Sequence, residues 1–244
     1  MASGDDTWRC RLAEARFSRL AHGHVTEESK KEPAKPERPS RMPRFLMPMA
    51  SKICRESVYL PLLNAQLALR PGMRVLELGS RDGAIAIELA KSEPAASVVA
   101  LEPDETSLIE ARRRGEAEGV FIEWVGTLPT AAGFLEASFD RILSVRFFHR
   151  LDPALKWETL DRLHALLKPG GELHLVDWGK PENFAYRIGF LGVQLVEGME
   201  RTQDHLEGNL SALLRAAGFK DVEKTHTIGT AFGTLELMKG RRGS

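Results

Sequence analysis

The stretch from Arg74 to Glu88 (Arg-Val-Leu-Glu-Leu-Gly-Ser-Arg-Asp-Gly-Ala-Ile-Ala-Ile-Glu) leaves this chain few folds to choose from. A short apolar run, an acid, two glycines and then helical periodicity describe a buried strand that ends in a tight turn and feeds straight into a helix. The first N–H groups of such a helix have no partner within it, so they face whatever lies above the carboxyl end of the strand. In an open α/β sheet that place commonly takes a nucleoside. The residue between the glycines narrows the choice. A dinucleotide turn needs glycine there so that the backbone can touch a pyrophosphate, and Arg81 would crowd such a group.

Downstream, strand and helix alternate in a way that a parallel sheet explains. Strands are expected at Met73–Leu78, Ser97–Leu101, Val120–Val125, Phe139–Val145 and Glu172–Val176, with helices at Gly83–Lys91, Glu105–Glu116 and Pro153–Leu167. The stretch from Pro181 to Thr202 reads as irregular. A helix over Leu206–Ala217 closes at Gly218, and strands Val222–Thr227 and Thr234–Lys239 read as an antiparallel hairpin that finishes the sheet. Before the first strand, one or two helices are expected between Phe45 and Leu69, interrupted around Pro61. The fold class is therefore α/β, a Rossmann-like doubly wound sheet of seven strands, mostly parallel with an antiparallel last strand and helices on both faces.

The segment from His22 to Pro43 is rich in Lys, Glu, Pro and Ser with hardly an apolar residue, which predicts a flexible linker. Residues 1–43 are read as an N-terminal extension with a short helix over 8–20 and as the segment through which a protein partner would attach. Residues 44–240 form the folded domain, with a candidate lid over 179–205.

Composition removes several classes of function. Lysine plus arginine and aspartate plus glutamate both number 34, so no overall positive field collects nucleic acid. Cys10 and Cys54 stand far apart and outside any metal-binding spacing, which excludes a disulfide framework and fits a reducing compartment, the cytoplasm. No apolar stretch is long enough to span a bilayer. Arginines in the first 20 residues suggest organelle import, but Asp5, Asp6 and Glu14 are unusual in a presequence.

Further along, Val-Val-Ala-Leu-Glu-Pro places Glu102 at a strand end, followed by Pro103, where a carboxylate can accept hydrogen bonds from both hydroxyls of a ribose. Gly126-Thr127-Leu128 follows the third strand, Ser144 lies near the end of the fourth, and a Lys-Pro-Gly-Gly turn at 168–171 precedes the fifth. In order and spacing this set resembles the class I S-adenosylmethionine-dependent methyltransferases over about residues 45 to 240. Within them the late segments look most like the ubiquinone and menaquinone biosynthesis enzymes and their small-molecule relatives. The resemblance implies S-adenosyl-L-methionine as cofactor, contacted by Glu77, Gly79, Ser80, Arg81, Gly83, Glu102, Pro103, Gly126, Thr127, Leu128 and Ser144. Two of these depart from the commonest family pattern: Arg81 replaces a glycine, and Thr127 replaces a frequent aspartate. The implied activity is methyl transfer to a small, largely apolar acceptor such as a quinone precursor, phenol or lipid-like metabolite, without a metal. The alternative is a methyltransferase-shaped scaffold within a larger assembly. An enzyme that methylates nucleic-acid amino groups is disfavoured because strand four ends Ser-Val-Arg-Phe-Phe and not in an Asn/Asp-Pro-Pro-Tyr/Phe motif.

Methyl transfer from a sulfonium is an in-line displacement, so the protein mainly aligns the partners in a dry pocket. For an acidic acceptor, a histidine near the strand ends can take its proton. His149 is the first catalytic candidate, Asp177 the second, and His205 a third. Each has an ordinary alternative: a loop hydrogen bond for His149, a turn cap for Asp177. The aromatic residues Trp178, Phe184, Tyr186 and Phe190 suggest a mobile cover over an apolar substrate, although aromatic-rich stretches are more often core.

Overall fold

A computed structural model describes residues 55–244 of the chain. The expectations for residues 1–43, and for a helix beginning near Phe45, lie outside the described residues. Helix α1 (Glu56–Leu67) runs through Pro61 without a break and buries Tyr59, Leu63 and Leu67. The interruption expected there does not occur, because a proline forgoes one backbone bond that the packing of its neighbours offsets.

Strand β1 (Arg74–Leu78), helix α2 (Ala84–Ser92), strand β2 (Ser97–Leu101), helix α3 (Glu105–Ala117) and strand β3 (Glu123–Val125) follow in strict alternation. Strand β4 (Phe139–Val145) follows β3 with no helix between them, and helix α4 (Pro153–Leu166) and strand β5 (Leu167–Gly179) come next. Then come α5 (Phe184–Glu197), α6 (Met199–Glu207), α7 (Leu210–Ala216), β6 (Lys220–Thr230) and β7 (Gly233–Arg241). The seven-stranded sheet has the order β3-β2-β1-β4-β5-β7-β6, and β7 runs antiparallel to both of its neighbours. The expected fold class is the observed one.

Successive residues of the inner strands feed opposite faces, as period two requires. On one face Val75, Val98, Ala100, Leu143 and Val176 pack with Leu63 and Leu67 of α1 and Ile87 of α2. On the other, Leu76, Val99, Ile142, Leu173 and Leu175 pack with Leu160 and Leu163 of α4 and Leu210 and Leu214 of α7. Both faces are covered, which is why these strands read as continuous apolar runs and not as alternating ones.

Three elements differ from expectation. Residues 181–202 are almost entirely helical, as α5 and the start of α6. Gly189 and Gly192, which suggested irregularity, lie inside α5; a Cβ at Gly189 would strike the carbonyl of Ala231, and one at Gly192 would touch Phe232. They are the contact points at which the helix lies on the β6–β7 connection. The helix expected over 206–217 is divided by Gly208, whose left-handed φ of 77° ends α6. Strand β5 reaches further than Glu172–Val176 at both ends and carries Asp177 and Trp178 within the sheet.

Candidate active site

The turn after β1 is built on backbone bonds. The Gly79 and Ser80 N–H groups both donate to the carbonyl of Leu101 on β2, and the Gly83 N–H donates to Ser80. Gly79 and Gly83 have φ of 75° and 76°, where a side chain is disfavoured. A Cβ on Gly79 would collide with the Phe147 ring, and one on Gly83 with Trp124 and Ala111. The glycines therefore serve close packing as well as the turn, and the N–H groups of Gly79, Ser80 and Gly83 are engaged within it.

Glu102 stands just beyond β2 and is buried. Its Oε2 accepts the Arg81 N–H at 2.6 Å and its Oε1 accepts the Asp104 N–H at 2.9 Å. Two backbone donors thus fix the carboxylate beside the turn, and each oxygen keeps a lone pair for another donor. Burial raises the Glu102 carboxyl above its ordinary range, and these two N–H groups work against it. Pro103 beside it is half-buried, as are Thr127 and Leu128 after β3, while Gly126 is exposed. The Glu102 N–H donates to Val125, which ties the β2 end to the β3 end.

Glu77 lies inside β1, 1% exposed. Burial first, then the negative charges of Asp82 and Glu102, push its carboxyl up to about 8, while the Ala86 N–H in the first turn of α2 draws it down. It is therefore mostly protonated at neutral pH. Glu77 Oε2, Ser80 Oγ and Ser144 Oγ are buried with no hydrogen-bond partner among the described residues. Ser80 follows the carboxyl end of β1, and the pairing of Leu78 with Ser144 sets Glu77 and Ser144 at the same end of the sheet but on opposite faces. Buried polar atoms of this kind are available to water or to a bound group.

His149 sits in the 3₁₀ turn Phe148–Arg150 after β4, and Asp177 lies on the neighbouring β5. Separated by 28 positions in sequence, they meet at 2.7 Å between His149 Nδ1 and Asp177 Oδ1. A carboxylate only accepts, so Nδ1 carries the proton and Nε2 keeps its lone pair when the ring is neutral. Asp177 also accepts the Trp178 N–H at 2.8 Å. Burial alone would raise the Asp177 carboxyl, but the adjoining His149 and His205 and these donated bonds hold it below the usual aspartate range.

His205 of α6 joins this pair. Its Nδ1 donates to the Trp178 carbonyl at 2.7 Å, its ring centre is 6.1 Å from that of His149, and its Nε2 is buried without a partner. Burial drives His205 down to about 3, against the pull of Asp177, so it is neutral at physiological pH. Lys156 of α4, 1% exposed, completes the network by donating to the Arg201 carbonyl and, at 3.4 Å, to Asp204. The sequence reading did not single out Lys156. Its place with Leu160 and Leu163 on one helical stripe was the available signal.

The Methyltransferase domain family matches residues 75–171. The uncharacterized methyltransferase sll0829 of Synechocystis sp. is 30% identical over 182 residues, covering 75% of this chain and 81% of that protein. The ubiquinone/menaquinone biosynthesis C-methyltransferase UbiE of Dinoroseobacter shibae is 28% identical over 196 residues, covering 71% and 76%. Among solved structures, a SAM-dependent methyltransferase from Aquifex aeolicus superposes with a TM-score of 0.57 at 18% identity, covering 79% of this chain and 97% of that one.

Proposed function

We propose, given that the chain belongs to the methyltransferase family, that it transfers a methyl group from S-adenosyl-L-methionine to a small, largely apolar acceptor bearing an acidic proton, such as a phenol, a quinone precursor or a lipid-like metabolite. The observation that carries this reading is the fixed, buried carboxylate of Glu102 beside the β1–α2 turn, with partnerless buried polar atoms of Glu77, Ser80 and Ser144 at the same end of the sheet. A nucleoside with a polar tail supplies donors and acceptors to such a place. When bound, the cofactor supplies an electrophilic methyl on a sulfonium.

In this reading Glu102 takes the ribose hydroxyls, and Gly126, Thr127 and Leu128 line the adenine side. Gly79, Ser80, Arg81, Gly83, Glu77, Pro103 and Ser144 border the remainder. His149 Nε2 takes the acceptor's proton. Asp177, held anionic by its donors, keeps the imidazole in the required tautomer and balances the imidazolium that forms. His205 holds the Trp178 carbonyl and thereby the β5 end on which Asp177 sits. The similarity to UbiE supports a small-molecule acceptor. No helix among the described residues is long and apolar enough to cross a membrane. The two cysteines, far apart, fit work in the cytoplasm.

Isothermal titration of the full chain with S-adenosylmethionine and S-adenosylhomocysteine tests the proposal. Heat is expected from both, with affinity reduced about tenfold or more in Glu102→Ala, as for loss of a hydrogen bond to a charged group. Silence from both nucleosides rejects it. Arg81 in a glycine's place favours a second reading, a binding scaffold without turnover. That reading predicts nucleoside binding and no methylated product from any phenol or quinol tested.

A further inference from the structure

The turn that carries Gly79 and Gly83 also holds a charge with no described partner. Arg81 is half-buried, and its guanidinium makes no hydrogen bond or ion pair among the described residues; only its backbone N–H is bonded, to Glu102. The nearby acids Asp82 and Glu102 favour that charge, but neither forms an ion pair or hydrogen bond with the guanidinium. Asp82 pairs with Arg114, and both Glu102 oxygens accept backbone N–H groups. More positive charge converges on the same spot. Arg146, tied to Glu56 at 2.6 Å, leaves the end of β4 beside β1, and Arg150 stands 6.0 Å from the ring of Phe147, which packs on Gly79. Burial bears most on the Arg81 charge, then these two arginines, with Asp82 and Glu102 acting against them. Arg81 and Arg146 each adopt a left-handed φ of 52°, a conformation that costs a side-chain-bearing residue free energy. A desolvated, unpaired guanidinium on strained backbone, facing two like charges, is unfavourable unless an anion completes it.

We propose that Arg81 is the receptor for a carboxylate on a molecule bound over the β1–α2 turn, with Arg150 adding its charge. Two details favour a carboxylate over a phosphate. A single planar guanidinium matches two coplanar oxygens. A phosphate cradle needs free backbone N–H groups, and those of Gly79, Ser80, Arg81 and Gly83 are occupied. The carboxylate can belong to the amino-acid tail of the nucleoside or to the acceptor. The identity of the nucleoside rests on the reading of the preceding subsection, whereas the anion site does not.

The experiment compares the full-length wild type with Arg81→Gln and Arg81→Lys. Each is titrated at low salt with S-adenosylhomocysteine, with 5′-methylthioadenosine, which lacks the amino-acid tail, and with benzoate. Should the tail supply the carboxylate, Arg81→Gln binds S-adenosylhomocysteine about tenfold or more weakly, while 5′-methylthioadenosine binds all three alike. Should the acceptor supply it, both nucleosides bind all three proteins alike, and benzoate raises the melting temperature of wild type and Arg81→Lys but not of Arg81→Gln. The ligand-free Arg81→Gln protein should melt no lower than wild type, since an unpaired charge has been removed; a structural guanidinium would give a clear drop. Equal binding of all three probes by wild type and Arg81→Gln, or that drop, overturns the proposal. Absence of any nucleoside binding would instead count against the cofactor reading, and the benzoate arm would still decide the anion site.

Discussion

A glutamate sealed inside a central strand makes the protein's stability depend on pH. Glu77, pushed up to about 8 from its ordinary 4.5, holds its proton in the folded chain where the unfolded chain has released it. Folding is therefore favoured below pH 4.5 by this group and loses that contribution as pH rises toward 8, by up to about 1.4 kcal/mol per pH unit. Glu77→Gln should flatten the fall in melting temperature of the ligand-free protein between pH 6.5 and 8.5, and an equally steep fall in both proteins would contradict this. For the paired residues the expected readout is kinetic. His149→Gln and Asp177→Asn should each lower kcat by about a hundredfold or more, with S-adenosylhomocysteine affinity nearly unchanged. Both residues could be picked from sequence because histidine and aspartate at strand ends carry proton chemistry. Their contact could not, since it depends on the register of β4 against β5 across 28 positions. Arg81 stood out in the sequence as an interruption between glycines, but its lack of a side-chain partner could be known only from where Asp82 and Glu102 direct their oxygens.

At the scale of elements, α5 lies closer to the sheet's end than its composition suggests. Gly189 faces the Ala231 carbonyl with no room for a methyl group, so Gly189→Ala must shift the helix or the hairpin, at a cost of about 1–3 kcal/mol. Chemical denaturation should show it, whereas alanine at Gly133, with open space around it, serves as the control. The helix presents Phe184, Ile188, Leu191 and Leu195 to solvent while Phe190 is buried against Trp178. The inner strands and their helices were legible because apolar runs of strand length alternated with periodic segments. Helix α5 was not, because glycine reads locally as a breaker and only the neighbouring hairpin reveals it as a spacer. Strand β5 runs past its expected bounds because Leu167 pairs with Phe139 before the irregularity at Pro169 and the two glycines, and β7 pairs with it on through Gly179.

For the molecule as a whole, the buried group of His149, Asp177, His205 and Lys156 joins the turn after β4 to β5, α4 and α6. His205 is held near 3 in the fold against 6.5 ordinarily, so the unfolded chain gains a proton first as pH falls. Its contribution is complete above pH 6.5 and diminishes toward pH 3; the lowered Asp177 adds a further loss below the ordinary aspartate value of 3.8. Between pH 6 and 5 the wild type should lose roughly 3–5 °C of melting temperature that His205→Gln does not. Parallel loss in both would show that another group sets the acid limit.

The strand order has a consequence for how the chain is made. Strand β6 leaves the ribosome before β7, yet its seat on the sheet exists only once β7 has slotted between it and β5. Until then the β5 edge, with Val176 and Trp178, stays open to any passing strand. A chain that ends before Gly233 should thus be captured by chaperones and cleaved by protease, whereas one that carries all of β7 free of the ribosome should resist both.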